Sequence, residues 1–215
     1  METISHIPFD LDVNALMEKV HVEPDSDDAR EFASFVDRAR AIARPKAVYR
    51  ECFIDAKGRD DTVTIGGMVF GSRTLRRNLD KAERVFAYVA TCGRDLDGRT
   101  YFLGALQHLD AHLRRRYRLG KTASMSPGSG DADTWPLEQQ RELFTLLGGM
   151  NEVRQQSGVE LTPSLLMVPN KTVSGIRFPT ETDFRSCQVC HRENCPSRSV
   201  PFDGKLWESI EHAQD

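Results

Sequence analysis

The chain lacks any long apolar run. Its longest, residues 85–90 and 165–168, fall far short of the roughly 20 residues that a membrane-spanning helix needs. The opening METISHIPFD has no basic stretch followed by an apolar one, so the sequence reads as cytoplasmic. Internal repeats are also missing, which points to one core rather than a repeat array. No strong excess of charge is present. The 29 Lys and Arg against 32 Asp and Glu leave a net charge of -3, which argues against general nucleic-acid binding. The basic run at 112–121 (HLRRRYRLGK) stands where a predicted helix ends, a place where cations complement the helix dipole. Cysteines are few and odd in number, five in all. That count suits a reducing compartment and metal chemistry better than a disulfide framework.

What is present suffices for one good core. In 215 residues with 39% hydrophobic content, apolar side chains recur at helical and strand spacing. Phe32, Phe35, Val36, Ala39, Ile42 and Ala43 predict an amphipathic helix over 28–43, with Asp28 and Glu31 as a capping pair. Strands are expected over 47–55 and 62–70, the second with a bulge or close approach at Gly66 and Gly67, followed by a short helix over 72–79. The near-continuous apolar run 85–91 predicts a central buried strand. Asp95 is expected to open the longest helix, with Phe102, Leu106, Leu109 and Leu113 on its buried stripe and Asp110 facing elsewhere.

A polar loop over 124–134 then leads through Trp135 and Pro136 into a helix carrying Leu137, Leu143, Phe144 and Leu147, which Gly148 and Gly149 stop. Residues 159–168 and 172–178 read as two strands joined by a turn at 169–171. Strands and helices do not alternate regularly. The expected fold class is therefore α+β around a mostly antiparallel mixed sheet, with an N-terminal arm at 1–25, one domain over 26–180 and a cysteine-containing tail over 181–215.

Cys187, Cys190 and Cys195 stand in that tail as C-x2-C-x4-C. A tight turn between two thiolates two residues apart brings both to one ion or cluster, and the third arrives on the return loop. The spacing predicts zinc or an iron-sulfur cluster on these three sulfurs. A fourth ligand has to come from His191, from Cys52 or Cys92, or from outside the chain. His108 and His112 are read as helix-surface histidines, and Cys52 and Cys92 as small buried hydrophobes.

Two segments, SMSPGSGDADTWPLEQQRELFTLL at 124–147 and GVELTPSLLMVPNKTVSGIRF at 158–178, together resemble the activation domain of cobalamin-dependent methionine synthase. Pro127-Gly128, Leu161-Thr162, Ser164, Met167-Val168-Pro169 and Val173-Ser174-Gly175 stand in the order of that family's motifs. RPKAVYR at 44–50 and the strand end ATCG at 90–93 extend the resemblance over most of 28–178, and the cysteine tail lies outside it.

The resemblance implies a domain that binds S-adenosylmethionine and docks on a corrinoid protein or methionine synthase, where a reductant protein's electron and a methyl group restore methylcobalamin on the partner. It places the ligand at Ser124, Ser126, Gly128 and Ser129, with Ser174, Gly175 and Arg177 on a facing strand. Ser124 stands where the family has an arginine and Ser129 where it has a tyrosine, so Arg177 is the candidate cation for a ligand carboxylate. The tail cysteines, as an iron-sulfur centre, would be the electron entry. The other reading is a zinc-binding adaptor that docks on a corrinoid protein without catalysis.

Overall fold

The computed structural model describes residues 1–8, 12–19, 21–93, 102–130, 134–195 and 198–212. It opens with β1 (Glu2–Ile4), α1 (Val13–Lys19) and α2 (Asp27–Ile42), followed by β2 (Lys46–Lys57), β3 (Thr62–Ile65), β4 (Met68–Gly71), α3 (Arg73–Asn78) and β5 (Arg84–Thr91). Then come α4 (Phe102–Tyr117), β6 (Thr122–Met125), α5 (Gln140–Leu146), α6 (Met150–Ser157), β7 (Glu160–Leu161), β8 (Met167–Val168), β9 (Thr172–Pro179) and α7 (Gly204–Glu211). Short 3-10 turns occupy Leu137–Gln139 and Ser186–Val189.

A seven-stranded sheet runs β4-β3-β2-β5-β9-β6, with β1 added beside β2, and all its pairings are antiparallel. The expected α+β class is what the chain adopts. The run at 85–91 is the central strand, wholly buried from Val85 to Thr91 because helices cover both faces. Alternation along the strands sorts the side chains. Val48, Cys52, Val85, Ala87, Val89, Ala123, Met125, Ile176 and Phe178 join Trp135, Leu143, Phe144, Leu147 and Val153 in one large core. Tyr49, Phe86, Tyr88 and Ala90 meet Ala105, Leu109 and Leu113 of α4 on the other face.

Several local expectations are corrected. Ser26, not the Asp28 and Glu31 pair, caps α2, its Oγ accepting from Ala29 N at 3.0 Å. Of the expected stripe Val36, Ala39 and Ala43 are buried, whereas Phe35 and Ile42 remain exposed. Gly66 and Gly67, both at positive φ, make the two-residue turn of the β3–β4 hairpin instead of a bulge, because only such a pair closes a tight hairpin without strain. Gly148 and Gly149 end α5, and a further helix, α6, starts at once.

The stretch 159–168 does not pair with 172–178. Its ends, β7 and β8, form a small hairpin of their own, while β9 inserts between β5 and β6. Asp95 lies outside the described residues.

Candidate functional site

Edge strand β6 pairs with β9 in the register Thr122↔Pro179, Ala123↔Phe178, Ser124↔Arg177 and Met125↔Ile176. Ser124 thus belongs to a strand, not to the loop expected there. Ala123 and Met125 enter the large core, so Thr122 and Ser124 face α4 together with Arg177. After Met125 the chain turns at once: Ser129 N donates to Ser126 O at 3.1 Å, and Gly128, at φ +71, donates its N–H to Trp135 O at 2.8 Å. Pro127 is buried, whereas Gly128, Ser129 and Gly130 are exposed. The turn is anchored from behind by Trp135, which is fully buried and donates to Gln139 Oε1 at 2.9 Å.

Gly175 is where β9 touches this turn. A Cβ there would lie 2.4 Å from Met125 O, 2.7 Å from Ser126 Oγ and 3.0 Å from the Tyr88 hydroxyl, so no side chain fits without moving backbone. Under Gly128 the space is already taken, since a Cβ would meet Leu137 Cδ1 at 2.7 Å. Ser124, Ser126, Gly128, Ser129 and Gly175 are therefore brought together at the end of β6. Ser174 is not among them: buried, it shares the opposite face with Ile176 and Phe178.

Arg177 lies beside Ser124 but turns from the loop. Its Nη1 donates to Asp110 Oδ1 at 2.7 Å and to Thr122 Oγ1 at 3.1 Å, at the end of β6 remote from Ser126, with its side chain 12% exposed. Its Nε is buried with no partner among the described residues. Sequence reasoning placed Asp110 away from the core and missed this pairing. The available signal was its place three residues before Leu113, on the shoulder of the buried stripe of α4. Tyr88 and Leu137 were likewise not foreseen as neighbours of the turn and of Gly175.

The same face carries a second polar group of contacts. Tyr49 donates its hydroxyl to Glu2 Oε2 at 2.9 Å and meets His112 Nε2 at 3.0 Å, while Arg116 and the Tyr117 hydroxyl reach Glu2 Oε1 at 3.1 and 3.3 Å. Burial of Glu2 opposes its charge, but the Tyr49 bond and the Arg116 guanidinium prevail and hold its carboxyl below the usual range. His112 is pushed down by burial and then by Arg115 and Arg116, and the Tyr49 hydroxyl is pushed up by burial and by its bond to Glu2. Burial alone lifts Cys92 to about 11, and it is also the main cause that lifts Cys52 to about 11, as expected of inert core thiols.

In the C-terminal segment Phe184, Val189 and Ile210 are buried in the large core. Cys190 is buried, Cys187 and Cys195 are half-buried, and all are free thiols. Burial tends to raise the Cys187 pKa, yet donors from Ser199 and Val200 and the Arg198 charge bring it below the usual value. Among the described residues no group of three or more His, Cys, Asp and Glu side chains is gathered to hold a metal ion. The three sulfurs as placed do not fit zinc or an iron-sulfur cluster. His191 packs its ring on Phe202 and Trp207, at centroid distances of 4.8 and 4.4 Å.

No family model and no curated protein matches the sequence. Among solved structures the chain matches the crystal structure of the MetH reactivation domain bound to AdoHcy, with a TM-score of 0.53 and 13% identity, over 86% of this chain and 80% of that one. The chain has the fold of a MetH reactivation domain. Among the described residues no helix is long and apolar enough to cross a membrane.

Proposed function

We propose that this chain is an accessory domain that binds S-adenosylmethionine at the turn following β6 and docks on a corrinoid-carrying protein, supporting return of its cobalt to the methylated state with an electron from a separate reductant protein. The observation that carries this reading is the turn 126–130, exposed at Gly128, Ser129 and Gly130 and seated on β9 at Gly175, in a chain that shares its fold with a domain solved with AdoHcy bound.

The donor set suits part of such a ligand. Ser126 and Ser129 offer hydroxyls to ribose or base. A ligand carboxylate is served less well, because Arg177 is held by Asp110 and has to exchange that partner. When bound, the sulfonium supplies a methyl group for capture by reduced cobalt. This chain then acts by positioning: the sheet edge and its anchored turn hold the donor still and leave the methyl open to the docked partner. No acid or base on the chain is required.

The Arg177–Asp110 pair and the Leu137 side chain under Gly128 favour a second reading, a docking adaptor that binds the corrinoid partner without the sulfonium ligand. Titration calorimetry separates the two. Saturable heat with S-adenosylmethionine, weakened more than about tenfold in Gly128→Val, supports the first reading. No heat, with co-elution of a corrinoid protein in gel filtration, supports the adaptor; neither heat nor co-elution overturns both.

A further inference from the structure

The cysteine loop is more tightly organised than a surface tail requires. Cys187 opens the turn that Cys190 closes, the Cys190 N–H facing Cys187 O at 3.5 Å. A turn closed between residues i and i+3 keeps their Cα atoms within about 7 Å, which overlaps the span of roughly 4.4–6.8 Å that a disulfide bridges. The loop around them is fixed by Arg198, whose guanidinium donates to Cys187 O at 2.9 Å, Cys190 O at 3.0 Å and Arg192 O at 2.6 Å. Val189 between the cysteines is fully buried, Gln188 O accepts from Asp203 N at 2.8 Å, and Arg185 N donates to Gln188 Oε1 at 2.8 Å.

The two thiols differ in access. Cys187 is half-buried and receives the Ser199 hydroxyl at 3.5 Å on its sulfur, whereas Cys190 is buried and lies against Gly130, its sulfur 3.8 Å from where a Cβ on that glycine would stand. Cys187 is thus the more accessible of the two residues.

We propose that Cys187 and Cys190 form a dithiol–disulfide exchange site for low-molecular-weight disulfides. The Cys187 thiolate attacks one sulfur of the incoming disulfide, forming a mixed disulfide and releasing the other half as a thiolate. Cys190 gives up its proton and attacks Cys187 sulfur, closing the internal bridge and releasing the second half. The chain loses two electrons and the disulfide gains them. The two cysteine protons end on the two released thiols, so no further oxidant is needed. Cys195 takes no part. The proposal is independent of the ligand reading given above.

The full chain, reduced and then exposed to oxidised glutathione, provides the test by acid quench, alkylation and peptide mapping. Alkylatable thiols fall from five to three, with a single bridge joining Cys187 to Cys190. Cys190→Ser accumulates glutathione on Cys187, Cys195→Ser behaves as the parent, and Cys187→Ser reacts at least about tenfold more slowly. A bridge involving Cys195, equal rates in Cys187→Ser, or stoichiometric zinc or iron that shields these thiols in anaerobically purified protein overturns it. The mapping on the unmodified chain needs no variant to fold.

Discussion

The face of the main sheet under α5 and α6 is closed largely by aliphatic and aromatic side chains, whereas the face under α4 sets Glu2, Asp110, His112 and Arg177 among its apolar residues. Their apolar residues are buried on both faces, and on the second Arg177 is 12% exposed whereas Glu2 stays 45% exposed, so the two are stabilised differently. Apolar burial is non-directional and contributes in proportion to area, so the first face responds to lost volume. A buried charge is stable only with its partner in place, so the second responds to lost pairing and to pH. The candidate turn is seated between them: Met125 and Trp135 tie it to the apolar face, Ser124 and Gly175 to the polar one.

Phe144, fully buried in the apolar core, should show the largest effect: Phe144→Ala is expected to lower the unfolding free energy by about 3–5 kcal/mol, read by denaturant titration, with unchanged pH dependence. On the polar face Arg177→Met should cost about 2–3 kcal/mol by leaving Asp110 with only the Thr122 hydroxyl and the more distant Arg114, and adding Asp110→Leu should restore most of it. Failure of the double variant to recover would show that the pair is not the unit of stability there. Gly175→Ala comes next, at about 1–3 kcal/mol, from the clash with Met125 O, and hydrogen exchange should report loosening at β6 rather than at β3 or β4.

Acid sharpens the contrast further. Because the folded pKa values of His112 and Glu2 are depressed, the unfolded chain takes up protons that the fold resists. Their stabilisation is complete above the ordinary values of 6.5 and 4.5 and is lost as pH falls through the lower folded ones. Glu2→Gln should flatten the acid limb of the stability curve. The exposed pair Lys121–Asp183 belongs to neither face, and Lys121→Ala should change stability by less than about 0.5 kcal/mol.

Much of this architecture was legible because its signals are local. The apolar run that became β5 and the Leu109 and Leu113 stripe declare burial by periodicity alone. The stretch around Gly66 and Gly67 was read as one strand with a bulge or close approach, whereas it is a hairpin with Leu146 close against Gly66, since strand pairing rather than composition decides whether two strands or one cross that point. The C-terminal segment read as a cysteine-containing tail, yet Val189 and Ile210 reach the main core beside Phe184, because well-spaced apolar residues among charges leave no periodic trace.

The candidate site divides the same way. The residues of the 124–129 stretch and its facing strand were proposed from a resemblance in motif order, but Ser174 and Arg177 lie on opposite faces of β9, and a strand's two faces are invisible until its neighbours are known.

By itself the sequence determined that the run at 85–91 is buried, where most helices and strands can run, and that three thiols crowd one short segment, since those follow from side-chain chemistry and spacing. Only the tertiary structure decided that Arg177 pairs with Asp110, that Leu137 lies beneath Gly128, and that Cys190 rests against Gly130. Each of these joins residues distant in sequence or set by a turn, and such contacts depend on how the strands and helices close around the core.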